Sequence, residues 1–198
     1  MKNAVFLDRD GIINELVYEP NSGTIDSPLT NKQVTLMHGI SELIKTIKEM
    51  GFIIIICSNQ PAVGLGKTSL KNFQAVTGKI LNLLKKEGAT LDYQYYCMHH
   101  PFAKIAKYRI KCNCRKPKAG LFLKASFQHN INLKNSWIIG DGVDDILAGQ
   151  KAGCKTLLLA NIKSSENLRI IERQLGHIRP DFIIKKLSEA LEIIKKNS

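Results

Sequence analysis

The sequence predicts an α/β fold built on a mainly parallel sheet with helices on both faces. Two observations predict it. Short apolar runs rich in β-branched and aromatic residues alternate along the chain with longer stretches of helical spacing. Polar and charged side chains then gather directly after those runs, where ligands of an open parallel sheet bind. Strand and helix in alternation favour parallel pairing, and a parallel sheet needs cover on both faces.

The first strand is expected over Ala4 to Leu7. Ile40, Leu43, Ile44 and Ile47 follow at helical spacing and Gly51 closes that helix. The second strand covers Phe52 to Cys57. Leu70, Phe73, Val76, Ile80, Leu83 and Leu84 then mark a long helix, with Ser69 and Gly88 at its caps. Strands are expected at Tyr93 to Cys97, Trp137 to Ile139, Thr156 to Leu159 and Phe182 to Ile184. Helices are expected over Leu121 to Phe127, Ile146 to Ala152 and Leu187 to Ile194. Two stretches, Glu15 to Gln33 and His99 to Pro117, lack either period and are expected as long loops. The 198 residues suit one domain spanning 1–198, with no room for a large second unit.

No apolar run approaches the roughly 20 residues that cross a bilayer. The stretch from Met1 to Leu7 meets Asp8 too soon for a signal-peptide apolar region, so a cytoplasmic protein without a membrane partner is expected. A net charge of +12 suits an anionic partner. The lysines are scattered along helical stretches (Lys45, Lys48, Lys71, Lys79, Lys85, Lys86) and near the end (Lys185, Lys186, Lys195, Lys196), which favours solvated helix faces over a nucleic-acid surface. Five cysteines is an odd count, and Cys97, Cys112 and Cys114 crowd together with histidines between them. In a reducing compartment such a cluster reads as metal before disulfide.

The first strand runs into Asp8-Arg9-Asp10-Gly11, two carboxylates two residues apart before a residue that permits a sharp turn. Phosphoryl transfer uses such a pair, one carboxylate attacking phosphorus and the other moving protons. Ser58, Asn59 and Gln60 follow the second strand, with a hydroxyl and amides able to hold phosphate oxygens. Asp141, Asp144 and Asp145 follow the fourth, and Arg115-Lys116 supply two cations between them. Each piece alone has a plain explanation as turn, cap or surface chemistry. All four in order at strand ends point to one site. Like charges 4 Å apart repel by about 4 kcal/mol at an effective dielectric near 20, so Asp8, Asp141 and a phosphate dianion need a cation among them. Magnesium suits such oxygen donors and Lys116 neutralises part of the remainder.

With these four motifs in order, the chain resembles the phosphatases of the haloacid dehalogenase superfamily from about Val5 to Cys154. The resemblance implies a Rossmann-like sheet without a large cap domain. It makes Asp8 the nucleophile and Asp10 the acid/base, which also offers magnesium its backbone carbonyl. Ser58 matches the phosphate-binding hydroxyl, Lys116 the lysine, and Asp141 the metal ligand with Asp145 as its outer acidic partner. Asn59 and Gln60 are expected on the substrate side, with Arg115 against a second phosphate.

Tyr96-Cys97-Met98-His99-His100-Pro101 and Cys112-Asn113-Cys114-Arg115-Lys116-Pro117 are similar to a zinc-containing subgroup. It includes heptose bisphosphate phosphatases and the histidinol-phosphatase half of a bifunctional histidine-biosynthesis enzyme. There a Cys-x-His and a Cys-x-Cys pair hold one zinc, here Cys97, His99, Cys112 and Cys114. The loop over about 97–117 is then zinc-bound, and Cys57 and Cys154 belong to the core. Two departures stand out: Pro61-Ala62 follow Gln60 where the heptose enzymes usually have Ser-Gly, and Gly142 follows Asp141 where they often have lysine.

The expected activity is magnesium-dependent hydrolysis of a small sugar phosphate, with D-glycero-D-manno-heptose 1,7-bisphosphate first, converted to the heptose 1-phosphate. Histidinol phosphate or another phosphomonoester comes second. A polynucleotide 3′-phosphatase or nucleic-acid-binding module is the reading from another class, and aromatics interleaved with the basic residues, which it calls for, are missing. The expected partner is a small phosphorylated metabolite, and the expected state a monomer.

Overall fold

The computed structural model describes residues 1–20, 23–160, 173, 175–176 and 178–197. Its main sheet holds β1 (Ala4–Leu7), β4 (Ile53–Asn59), β5 (Tyr93–Cys97), β6 (Trp137–Gly140), β7 (Lys155–Leu159) and β8 (Phe182–Ile184) in the order β5-β4-β1-β6-β7-β8. Every pairing in it is parallel. Among the described residues, the α-helices that cover this sheet include α1 (Ile40–Glu49), α2 (Leu70–Lys86), α3 (Gly120–His129), α4 (Val143–Ala152) and α5 (Leu187–Asn197).

Alternation along β1 sorts the two layers. Val5 and Leu7 face a core that includes Ile40, Leu43 and Ile47 of α1, Val76, Ile80 and Leu84 of α2, and Leu187 and Ile194 of α5. Ala4 and Phe6 face the other side with Leu121, Phe122 and Ala125 of α3 and Ala148 of α4. Phe6 meets Phe122 edge-on, with ring centroids 5.0 Å apart. Both faces of β1 are therefore dry, which is why its four residues are all apolar.

The predicted strands and helices recur with shifts at their ends. β4 runs two residues past Cys57, so Ser58 and Asn59 are the last residues of a strand rather than the start of a turn. Ser69 caps α2, its hydroxyl accepting from the Asn72 amide at 3.0 Å.

The stretch expected as a loop over 15–33 instead carries an antiparallel hairpin, β2 (Val17–Glu19) against β3 (Thr24–Asp26), with Tyr18 opposite Ile25. Its strands are three residues long, and Tyr18 and Ile25 both face solvent, so no buried alternation announces them. Asn21 and Ser22, inside that stretch, lie outside the described residues. The other long loop keeps its character and holds one 3-10 turn at Ala106–Tyr108. Among the described residues, no helix is long and apolar enough to cross a membrane.

Candidate active site

Because the main sheet is wholly parallel, the carboxyl ends of β1, β4, β5 and β6 lie along one edge. Asp8 continues the β1 ladder, donating its backbone N–H to Ile139 O at 3.0 Å. The chain then folds back: Ile13 and Asn14 amides donate to Arg9 O at 2.8 and 3.0 Å, and the Gly11 amide donates to Asn14 O at 2.7 Å. Gly11 adopts φ +85, and a Cβ there would overlap the Asp141 carboxylate. This turn brings the β1 carboxylates against those that follow β6.

Lys116 is the hub. The residue is only 2% exposed, and its ammonium donates to Asp8 Oδ1 at 2.8 Å, to Cys57 O at 2.9 Å and to Asp145 Oδ1. Burial alone would lower its pKa, but Asp145 and Asp8 outweigh that and hold it above the usual lysine range. Asp145 is buried in turn; its second oxygen accepts from the Gly142 amide at 3.1 Å and so caps α4. Burial raises the Asp145 pKa to about 6, with Lys116 pulling the other way. Asp141 is pushed up to about 8 by burial and then by the charges of Asp8 and Asp145.

Ser58 and Gln60 are almost fully buried at the end of β4. The Gln60 amide nitrogen donates to Ser58 Oγ at 3.0 Å and to Asp10 Oδ2 at 2.6 Å. Asn59, expected on the substrate side, has its amide on the main chain of Lys116: Nδ2 donates to Lys116 O and Oδ1 accepts from Lys116 N, each at 3.0 Å. Arg115 donates from Nη1 to His99 O at 3.3 Å.

Two residues of the site escape a reading of strand ends. Arg9, 1% exposed, donates to both oxygens of Asp10 at 3.1 and 3.0 Å and stacks over Phe73, 5.7 Å from the ring centroid. Asn14 adds a bond to Asp10 Oδ1 at 2.9 Å. The signal for Arg9 was its place between the two aspartates; Asn14 had none until the turn was known.

Carboxylate oxygens of Asp8, Asp141 and Asp145 lie within 4.8 Å of one another. Three carboxylates face the one ammonium of Lys116, the donors are hard oxygens, and the space beside Asp141 is kept free by Gly11. This donor set fits magnesium. Asp145 is already taken by Lys116 and Gly142, so Asp8 and Asp141 are the available carboxylates.

At the end of β5, Cys97, His99, Cys112 and Cys114 gather with ligand atoms within the same 4.8 Å limit. Cys97 Sγ lies 3.8 Å from Cys112 Sγ and 3.2 Å from Cys114 Sγ, and His99 Nδ1 is 3.2 and 3.6 Å from Cys114 and Cys97. A tetrahedron with Zn–S near 2.3 Å has S···S edges of about 3.8 Å, so the set fits zinc with no open position. His100 turns away, accepting from the Phe102 amide, and Cys57 and Cys154 are buried in the core as expected.

A parallel-sheet edge carrying these carboxylates, hydroxyl and lysine defines a phosphoryl-transfer hydrolase, and the chain belongs to the haloacid dehalogenase family of phosphatases. The HAD-hydrolase-like family model matches residues 113–190. The chain is 35% identical over 161 residues to the D-glycero-beta-D-manno-heptose-1,7-bisphosphate 7-phosphatase of Haemophilus ducreyi, covering 80% of this chain and 82% of the relative. It is 34% identical over 195 residues to the protein of the same name from Helicobacter pylori, covering 97% of each. Among solved structures, a putative HAD-like phosphatase from Mesorhizobium loti matches with a TM-score of 0.79 at 25% identity, covering 100% of this chain and 88% of that one. The D,D-heptose 1,7-bisphosphate phosphatase from B. bronchiseptica, complexed with magnesium and phosphate, shares the fold with a TM-score of 0.79 at 22% identity over 100% of both chains.

Proposed function

We propose that this protein removes the 7-phosphate of D-glycero-D-manno-heptose 1,7-bisphosphate through an aspartyl-phosphate on Asp8. One observation carries the mechanism: Lys116 Nζ joins Asp8, Asp145 and the end of β4 in a single buried contact, so nucleophile and phosphate-neutralising cation share one place. The names of the Haemophilus and Helicobacter relatives support the substrate.

In the first half-reaction a carboxylate oxygen of Asp8 attacks phosphorus in line and the bond to the sugar's O7 breaks. Asp10 passes its proton to the departing oxygen. In the second half, Asp10 takes a proton from the water that attacks the aspartyl-phosphate, which releases phosphate and restores the protonated acid for the next turnover. Ser58 donates its hydroxyl to a phosphate oxygen, and Lys116, fixed by Cys57 O and Asp145, balances charge on the transferring group. Asp8 and Asp141, with the Asp10 carbonyl, would hold magnesium, which supplies the positive charge that lets a carboxylate approach a phosphate dianion.

Cys97, His99, Cys112 and Cys114 would hold zinc away from the chemistry, stiffening the loop that ends at Arg115 and Lys116. Arg115 meets the phosphate that stays on the sugar, and Asn59 keeps the Lys116 main chain in place. The test is magnesium-dependent phosphate release from heptose 1,7-bisphosphate, histidinol phosphate, simple phosphomonoesters and a 3′-phosphorylated oligonucleotide, ranked by kcat/KM. The heptose bisphosphate should lead, and Asp8→Asn should abolish turnover. A faster reaction with histidinol phosphate overturns the substrate; a near-normal rate in Asp8→Asn overturns the mechanism.

A further inference from the structure

Parallel pairing brings the end of β5 to the same sheet edge as the ends of β1 and β4, so the residues after Cys97 stand beside the site. His100 is fixed there by three hydrogen bonds. Its backbone N–H donates to Tyr108 O at 3.0 Å, its carbonyl accepts from the Ala103 amide at 3.0 Å, and its ring Nδ1 accepts from the Phe102 amide at 3.1 Å. A backbone N–H can only donate, so Nδ1 presents a lone pair and the ring proton sits on Nε2. The two ring nitrogens point apart. Nε2–H is therefore a donor turned away from the turn that holds the ring, and among the described residues it has no hydrogen-bond partner. His100 is half-buried, so that donor is within reach of a ligand.

Arg115 stands next to it. Its Nη1 donates to His99 O at 3.3 Å, which sets the guanidinium against the peptide joining His99 to His100. Among the described residues, Nε and Nη2 have no partner and no carboxylate lies within ion-pair distance of the group. Donors of both residues are thus unspent, and a forked cation beside a neutral N–H suits the oxygens of a phosphate. His99 itself belongs to the zinc set, so one held residue positions both neighbours.

We propose that His100 is a specificity-determining residue: its Nε2–H, beside the Arg115 guanidinium, binds the phosphate that stays on the substrate, so the pair selects a sugar bisphosphate over a monophosphate. This rests on the phosphatase reading above and on the role given there to Arg115. A histidine that only closed the turn at Phe102 would leave that preference where it was.

The experiment separates the two roles of the ring. An asparagine side chain accepts from the amide two residues on, as Nδ1 does here, and carries nothing in the place of Nε2. His100→Asn therefore keeps the turn and removes the donor. With magnesium present, kcat/KM is measured for heptose 1,7-bisphosphate and for heptose 7-phosphate, which lacks the second phosphate. Their ratio is the readout, because a loss of folded enzyme lowers both values equally. The parent should favour the bisphosphate. His100→Asn should lower the ratio about tenfold, the size of one hydrogen bond to a charged group, mainly through KM. His100→Asp, which also keeps the turn but sets a negative charge against the phosphate, should lower it further. In an Arg115→Met background His100→Asn should lower it less than in the parent, because the phosphate is no longer held beside the ring. A ratio unmoved by both substitutions at His100, a shift equal with and without Arg115, or a parent with no preference for the bisphosphate overturns the proposal. A parent that releases phosphate from neither ester overturns the phosphatase reading instead.

Discussion

Asp10 accepts hydrogen bonds from three neighbours, and the strongest hold is the two-pronged one from Arg9. That guanidinium is buried, and its Nη1 has no hydrogen-bond partner, so it is committed to Asp10 and to the ring of Phe73. Removing one member of a buried ion pair leaves the other charge uncompensated, a loss of roughly 3 kcal/mol. Arg9→Met should lower stability in urea by about that amount and lower kcat as Asp10 loses its aim; an unchanged unfolding midpoint would mean the pair is no better than a surface contact. Asp8, Ser58, Lys116 and Asp141 could be named from the sequence because each follows an apolar run or a fixed motif. The grip on Asp10 could not be, since Asn14 reaches it only after the chain reverses at Gly11, and the Asn59 amide looked free for substrate until Lys116 was placed beside it.

The metal-like loop is fastened to β4 at both ends. Near its start Gln60 N–H holds Cys97 O, and near its finish Asn59 holds the Lys116 main chain, while Lys118 Nζ donates to Cys112 O at 2.6 Å. Zinc would lock the middle. A strong chelator should remove one zinc per chain and lower the thermal midpoint. Assayed after the chelator is removed and magnesium restored, kcat should fall without being abolished, because the β4 anchors still hold Lys116; metal analysis with parallel unfolding curves checks this, and full activity with no zinc would refute the loop's proposed role. Helix α2 offers a simpler case: Ser69→Ala, losing the bond to the Asn72 amide, should lower stability by about 1 kcal/mol in denaturant unfolding. Elements with a buried face were legible in the sequence, α2 by its apolar spacing and β1 by its unbroken apolar run. The β2–β3 hairpin was not, because its exposed Tyr18–Ile25 pair presents no inward side for a pattern to record.

Across the whole molecule, the alternation of strands and helices foretold the layers, but the order β5-β4-β1-β6-β7-β8 depends on which strands meet in space and leaves no local mark. Charge shows the same division. The net +12 is visible as a sum, yet its arrangement matters more: between Asp92 and Asp141 there is no acidic residue, while Lys104, Lys107, Arg109, Lys111, Arg115, Lys116 and Lys118 lie in or beside the loop that reaches the site. Of these, Lys116 is buried and neutralised by Asp8 and Asp145, whereas Lys104, Lys107, Arg109 and Lys111 are exposed. Exposed cations near a site attract an anionic substrate over a distance set by salt, about 10 Å at 0.1 M and 3 Å at 1 M. A doubly phosphorylated sugar should feel this strongly. Its kcat/KM should fall several-fold between low and high ionic strength with kcat nearly constant, because steering acts on encounter and not on the buried Lys116 contact. Replacing Lys104, Lys107 and Lys111 with glutamine should flatten that salt dependence and leave kcat unchanged. If the triple variant keeps the parent's slope, the exposed lysines only solvate the loop and the attraction comes from Arg115 and the site itself.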